Sequence, residues 1–316
     1  MVYLCIVLFC ACGNKARDNQ VEFNRFEQLL FDTPLVQLQQ VLTKEKTSYQ
    51  CELLNVYPED EEYMSMLEGF VTDPVMRDVY HVTDSLYHDL GWLEAELGKA
   101  LSKAEELCPT MHYDRFYTLI TGDFENYQSR VLCGDGVLAV SIDRYAVPEM
   151  GRYGYFGLPS YVVATSKREY IAADCMATIA RDHIAMADGE MTVLDYAIAE
   201  GKVLYFLEQV LPDCDDTILL RYTGEQLNWM EENVKNVWAW MIQNKMLYET
   251  DLSRFHNLID EAPKTNAFGD GSAPRTPAYI GWQIVKRYMK KSGANMSELF
   301  ETTDSQRLLT ESGWRP

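Results

Sequence analysis

The sequence predicts an α+β protein that is predominantly α, folded as a single globular domain with a small antiparallel sheet. The first observation is that apolar residues recur at steps of three and four over most of the chain after Asp32. The second is a change between Tyr113 and Ile142 to the β-branched and aromatic runs that favour strands. The third is that no fixed-period repeat and no Ser-, Gly- or Pro-rich linker divides the 316 residues, so that one core accounts for them.

The N-terminus has the pattern of an export signal. Its apolar run ends at Ala11 and is about half the roughly twenty residues needed to span a bilayer, but it suits the apolar part of a signal peptide. The pair formed by Ala11 and Cys12 resembles the lipobox of bacterial lipoproteins, in which the cysteine becomes an acylated N-terminus. The resemblance implies a signal peptide over 1–11, lipid attachment at Cys12, a tether over 12–24 and a folded domain over 25–316. The alternative is a buried N-terminal strand or helix.

Charge and cysteine content limit the classes of partner and site. A formal charge of −20 argues against nucleic acid and against docking on anionic head groups, so that lipid alone would hold the protein at a membrane. Five cysteines lie beyond Cys12, which is an odd number, and no Cys-x-x-Cys pair occurs. This pattern is neither a disulfide framework nor a zinc site, and it indicates buried thiols.

Helix signals flank the predicted sheet on its N-terminal side. Asp73-Pro74 places a capping residue before a proline, which is typical of a helix start. The apolar stripe that follows continues to Leu101, which predicts one long amphipathic helix or two helices bent near Gly91. Pro109 prevents continuation.

The sheet is predicted from three short runs. Residues 115–120 have strand composition, and the runs 130–133 and 137–142 flank Gly134-Asp-Gly136, a tight hairpin signal. The segment 145–161 that follows is rich in Gly, Pro and Tyr, which indicates an ordered loop or surface flap. We interpret Tyr155 in this flap as a candidate interaction residue.

The second half of the chain is again predicted to be helical. Ser166-x-x-Glu169 predicts a capping box that opens a helix to about Met186, Thr192 starts the next helix, and Thr223-x-x-Gln226 opens a third. Pro277 begins a further helix that Gly293 ends.

One predicted helix in this half contains a Glu-Gly pair of the kind that occurs in zinc peptidases. A His-Glu-x-x-His pair would indicate a zinc peptidase, and the sequence has none. In many such enzymes a second helix supplies a glutamate from a Glu-Gly pair, and Glu200-Gly201-Lys202 has that form, although only His183 precedes it closely. Glycine inside a helix costs about 1 kcal/mol. Either a pseudo-site at Glu200, Gly201 and Lys202 or close helix packing at Gly201 explains the pair.

The helix that starts at Pro277 offers a second candidate. Its apolar residues recur at helical spacing through Ile280, Ile284 and Tyr288, so that this face should be core. Gly281 would let a neighbouring helix approach closely. Trp282 flanks the stripe, and we interpret it as structural, with a role in lining a groove or contacting a partner as the alternative.

The chain resembles the gliding-motility lipoprotein GldB family over nearly all of its mature length. The residues that carry the resemblance are Tyr222-Thr-Gly-Glu-Gln-Leu-Asn-Trp229, Tyr279-Ile-Gly-Trp-Gln-Ile-Val285 and Asp304-Ser-Gln-Arg-Leu-Leu309, with Arg25-Phe26, Ser141-Ile-Asp143-x-Tyr145, Pro159-x-Tyr161 and Gly201-Lys202-x-x-Tyr205 upstream. One departure is Pro274-Arg275, where Pro-Gly is usual in the family.

The resemblance implies a zinc-peptidase-like layout without the metal motif, and therefore no cofactor and no catalytic residues. It implies a non-catalytic envelope lipoprotein that acts in cell-surface machinery, namely gliding motility and its associated protein secretion. Its partners would be other envelope proteins, and its body would lie in the periplasm. Two alternatives remain at this point, a glycan- or peptide-binding lipoprotein with an aromatic cleft and a degenerate zinc-peptidase-like hydrolase.

Overall fold

The computed structural model describes residues 20–45, 56–122, 130–151 and 157–316. The predicted signal peptide, the lipid site at Cys12 and the flap residue Tyr155 lie outside these ranges. The described helices are α1 (Phe26–Asp32), α2 (Leu35–Glu45), α3 (Glu61–Thr72), α4 (Pro74–Leu86), α5 (Gly91–Leu107), α6 (Ser160–Ala164), α7 (Ile171–His183), α8 (Val193–Val210), α9 (Asp216–Leu220), α10 (Gly224–Gln243), α11 (Leu252–Ile259), α12 (Thr276–Ser292), α13 (Met296–Glu301) and α14 (Ser305–Ser312).

The predicted α+β class with predominant helix is confirmed, but the sheet is mixed rather than antiparallel. Its strands are β1 (Phe23–Arg25), β2 (Arg115–Leu119), β3 (Val131–Gly134) and β4 (Val137–Ser141), in the order β1-β2-β4-β3. The predicted hairpin is present, since β3 and β4 pair antiparallel around a turn in which Asp135 and Gly136 have φ of 48° and 77°. β2 lies parallel to both β1 and β4. Local composition indicates a strand but not the direction of its partner, and β1 is too short to produce a pattern.

Several predicted helix starts are confirmed by their caps. The Asp73 carboxylate accepts from the backbone N–H groups of Val75 and Met76 at the start of α4. The boxes at Thr192 and Thr223 are both complete, with the reciprocal side chains of Asp195 and Gln226. The stripe predicted after Asp73 forms two helices, because α4 ends before the 87–90 segment and α5 begins at Gly91.

The capping box predicted at Ser166 is wrong. The Ser166 hydroxyl donates backward to the carbonyl of Val162, so it does not cap the helix that follows. A 3₁₀ turn over Arg168–Tyr170 intervenes, and α7 begins only at Ile171.

The centre of the domain is the crossing of α8 and α12. A Cβ added to Gly281 would lie 1.6 Å from the carbonyl oxygen of Ala197, and one added to Gly201 would lie 2.3 Å from the carbonyl carbon of Gly281. The close helix approach predicted at both glycines is therefore present. None of the described helices is long and apolar enough to cross a membrane.

Candidate functional site

The crossing of α8 with its neighbours leaves a cavity of about 400 Å³ beside α7 and α9. One wall is apolar and includes Val203, Leu204 and Leu207 of α8. The rest of the described lining is strongly charged. It contains the arginines Arg130, Arg181, Arg221 and Arg275 and the acidic residues Asp174, Glu200, Asp260 and Glu261.

Glu200 is held between two arginines in this cavity. Its carboxylate accepts from Arg181 Nε and Nη2 at 3.1 and 3.0 Å and from Arg275 Nη2 at 2.5 Å. Burial would raise the pKa of this carboxyl, but Arg181 and Arg275 outweigh burial and lower the pKa to about 2. Glu200 is therefore ionised at neutral pH and is a weak base there.

Asp174 organises the other side of the cavity. It accepts hydrogen bonds from Arg221 and, at 2.7 Å, from the Tyr145 hydroxyl. Arg130 lies 3.8 Å from the same carboxylate, and Arg221 also lies 3.3 Å from Glu261. The cavity thus has two ion-pair clusters, one centred on Glu200 and one on Asp174.

Two of the four arginines have left-handed backbone. Arg221 has φ of 58° at the C-terminal end of α9, and Arg275 has φ of 48° immediately before α12. A non-glycine residue in this region costs about 1–3 kcal/mol, and such residues cluster at functional sites. Both strained residues carry the guanidinium groups that contact Asp174 and Glu200, whereas the other two described non-glycine residues with positive φ, Asp135 and Lys245, do not line this cavity.

The predicted triad Glu200, Gly201 and Lys202 does not form one site. Glu200 lines the charged cavity, whereas Gly201 contacts the backbone of α12. Lys202 is buried and donates from Nζ to the carbonyl of Thr302 at 2.6 Å, and desolvation lowers its pKa to about 8. The structure therefore assigns the three residues to a cavity, a helix crossing and an attachment of the C-terminal segment.

Trp282 is in the core, with 2% of its surface exposed. Its indole Nε1 donates to Glu208 Oε2 at 3.1 Å, and Lys286 Nζ lies 4.4 Å from the ring centroid. The groove-lining alternative for Trp282 would require an exposed ring, and this ring is enclosed.

The residues around Glu200 do not fit a catalytic zinc ion. Both carboxylate oxygens are already bound by guanidinium groups, and a dication at this position would face two positive charges. His183, at the end of α7, lies 3.4 Å from the Tyr113 hydroxyl and is not part of the described lining of this cavity. Within the described ranges, no group of three or more His, Cys, Asp and Glu side chains is arranged to hold a metal.

Most of the cavity was not predicted from the sequence. The Glu200-Gly201 pair was the clearest local signal, since glycine destabilises a helix interior and its presence there indicates a special role. Asp174 and Arg181 lie within α7, and Arg221 follows α9 in left-handed backbone that no glycine or asparagine marks in the sequence. Arg275 gave a weak signal, because the resemblance predicts Pro-Gly at Pro274-Arg275 and the backbone of Arg275 is left-handed.

Comparison with known protein families identifies a match over most of the chain. The model of the family described as gliding motility protein GldB matches residues 13–316, which is nearly the whole chain. No curated protein and no solved structure matches the chain significantly. On the extent of the family match, the chain belongs to the gliding motility protein GldB family.

Proposed function

We propose that this protein is a lipid-anchored component of the bacterial cell envelope that acts in gliding motility and the associated secretion machinery by binding, not by catalysis. The family match over 13–316 supports the envelope and motility role. The observation that carries the non-catalytic part is the double arginine clamp on Glu200.

The clamp is unfavourable for both kinds of chemistry that a peptidase-like layout uses. A general base at neutral pH works best with a pKa near the operating pH, whereas the pKa of Glu200 is about 2. A metal-bound water needs a cation, and the guanidinium groups of Arg181 and Arg275 occupy the space and charge that a cation would take. The hydrolase alternative therefore has little support at this cavity.

Zinc titration tests the non-catalytic part. Purified protein incubated with excess Zn²⁺ and then desalted is expected to retain no stoichiometric zinc by elemental analysis, because the arginines repel the ion. Glu200→Gln should give the same reading as the wild type. One zinc per chain that disappears in Glu200→Gln would overturn the non-catalytic proposal.

Membrane fractionation tests the anchor. Cys12→Ala is expected to move the protein out of the membrane fraction or to leave its precursor unprocessed, because two or more acyl chains give stable anchoring and none remains. Cys214→Ala, which removes a half-buried free thiol, is the matched control and should stay in the membrane fraction. Unchanged membrane association of Cys12→Ala, with no lipid mass on the wild-type Cys12 peptide, would contradict lipid anchoring.

One observation favours the binding-protein alternative with an aromatic cleft. A second cavity of about 280 Å³ is lined by Tyr161, Tyr170 and Tyr222 and adjoins the charged cavity. An anchored protein with such a pocket would hold its ligand at the membrane surface.

A further inference from the structure

The tyrosine-lined cavity shares part of its wall with the charged cavity. Arg221, Glu261 and Arg275 line both. The remaining wall of the smaller cavity comes from α6, the start of α10 and the Pro263 and Pro274 segments. The smaller cavity therefore combines flat aromatic and proline surfaces with guanidinium groups at one end.

Two buried polar atoms, on residues that line the smaller cavity, have no hydrogen-bond partner among the described residues. They are Arg221 Nη1 and the Tyr222 hydroxyl, and Tyr222 is only 4% exposed. Buried polar groups are nearly always paired, because an unmade hydrogen bond costs stability. Both atoms are donors on residues that line the smaller cavity, which makes an acceptor bound there their candidate partner.

The charged residues that line the smaller cavity point to an anionic acceptor. The guanidinium groups of Arg221 and Arg275 line this cavity together with one carboxylate, that of Glu261. The lining of the smaller cavity thus has one positive charge in excess, although the chain as a whole carries −20.

Arg221 contacts both a carboxylate and an aromatic ring of the cavity wall. Its guanidinium carbon lies 5.6 Å from the Tyr170 ring centroid, so the group is stacked near an aromatic face while its Nε faces Glu261. Its Nη2 and Nε already face Asp174 and Glu261, and because charge-assisted hydrogen bonds are stronger than neutral ones, a carboxylate is the natural acceptor for the remaining Nη1.

We infer that the tyrosine-lined cavity binds a monocarboxylate with an aromatic body. The carboxylate accepts from Arg221 Nη1 and the Tyr222 hydroxyl with Arg275 close by, and the body packs between the tyrosine and proline side chains. A free aromatic acid and the C-terminal carboxylate of a peptide ending in an aromatic residue share this chemistry. The inference does not depend on the lipid anchor or on motility.

The test is calorimetric titration of the purified protein with N-acetyl-L-tyrosine and with its amide. The acid is expected to bind at least about tenfold more tightly, because the amide lacks the charge that pairs with arginine. Acetate should bind far more weakly than the acid, because it lacks the body. N-acetyl-prolyl-tyrosine distinguishes the two sources, since tighter binding than N-acetyl-tyrosine indicates a peptide terminus and weaker binding a free acid.

Two variants separate binding from folding. Tyr222→Phe removes only the unpaired hydroxyl, so acid affinity should fall about fivefold while the melting temperature stays the same or rises. Arg275→Gly is compatible with the left-handed backbone and should weaken the binding of the acid but not the binding of the amide. Tyr205→Phe on α8, outside this cavity, is the matched control.

Three results would overturn the inference. One is equal affinity for the acid and the amide. Another is unchanged acid affinity in both Tyr222→Phe and Arg275→Gly. The last is no binding of any probe at millimolar concentration.

Discussion

Gly281→Ala is expected to destabilise the protein by about 3 kcal/mol or more, a large part of the 5–15 kcal/mol of a typical domain. The added Cβ would lie 1.6 Å from the Ala197 carbonyl oxygen, and the obstacle is helix backbone, which cannot rotate aside as a side chain can. Helices α8 and α12 must separate, and the core on both sides of the crossing loses contact. Urea unfolding of wild type and variant measures the difference.

Gly201→Ala probes the same crossing from the other helix and should also destabilise, since its Cβ would lie 2.3 Å from the Gly281 carbonyl carbon. The matched control is Gly69→Ala in α3, where a Cβ would meet nothing within 4 Å. That change should be neutral or stabilise by up to about 1 kcal/mol through helix propensity. Equal unfolding midpoints for Gly281→Ala and Gly69→Ala would show that α8 and α12 do not cross at these glycines.

The parts of the fold that sequence predicts well are those fixed by neighbouring residues. The caps at Asp73, Thr192 and Thr223 are local, since each side chain bonds backbone groups two or three residues ahead. The hairpin at Gly136 is equally local. The capping box predicted at Ser166 was wrong because the Ser166 hydroxyl donates to the carbonyl of Val162 instead of capping the residues that follow it. The sequence does not determine which of these two hydrogen bonds forms.

Non-local pairings were beyond the sequence for a physical reason. The direction of β2 relative to β1 and β4 depends on how the intervening chain crosses the sheet, and no residue in β2 records it. Arg275 and Glu200 are 75 residues apart and meet only because α8 and α12 cross. Glycines were the exception. Because glycine destabilises a helix interior, Gly201 and Gly281 indicated a close helix approach from the sequence alone.

The cavity and the crossing depend on the same helix. Glu200 and Gly201 are adjacent on α8. Gly201 allows α12 to approach closely, and Glu200 pairs with Arg275, which immediately precedes α12. Separation of α8 and α12 would move Arg275 away from Glu200. Loss of the ion pair is therefore expected to accompany the destabilisation in Gly281→Ala.

Trp282→Ala is expected to cost about 3–5 kcal/mol of unfolding free energy. The ring is 2% exposed, so its truncation leaves a large cavity on α12, and the Glu208 carboxylate loses its indole donor. Trp282→Phe keeps part of the ring and loses the Nε1 hydrogen bond, so it should cost less than the alanine change. Thermal and urea unfolding measure both variants.

The control for Trp282 is Trp92→Ala in α5, a half-buried ring beneath the Arg168 guanidinium at 3.9 Å. Because part of that ring is already in water, its truncation should cost clearly less than Trp282→Ala. A structural role for Trp282 predicts that any loss of gliding or secretion in the organism follows the loss of folded protein. If Trp282→Ala unfolded at the wild-type midpoint and accumulated normally but abolished gliding or secretion, the ring would have to reach a partner, which requires α12 to open.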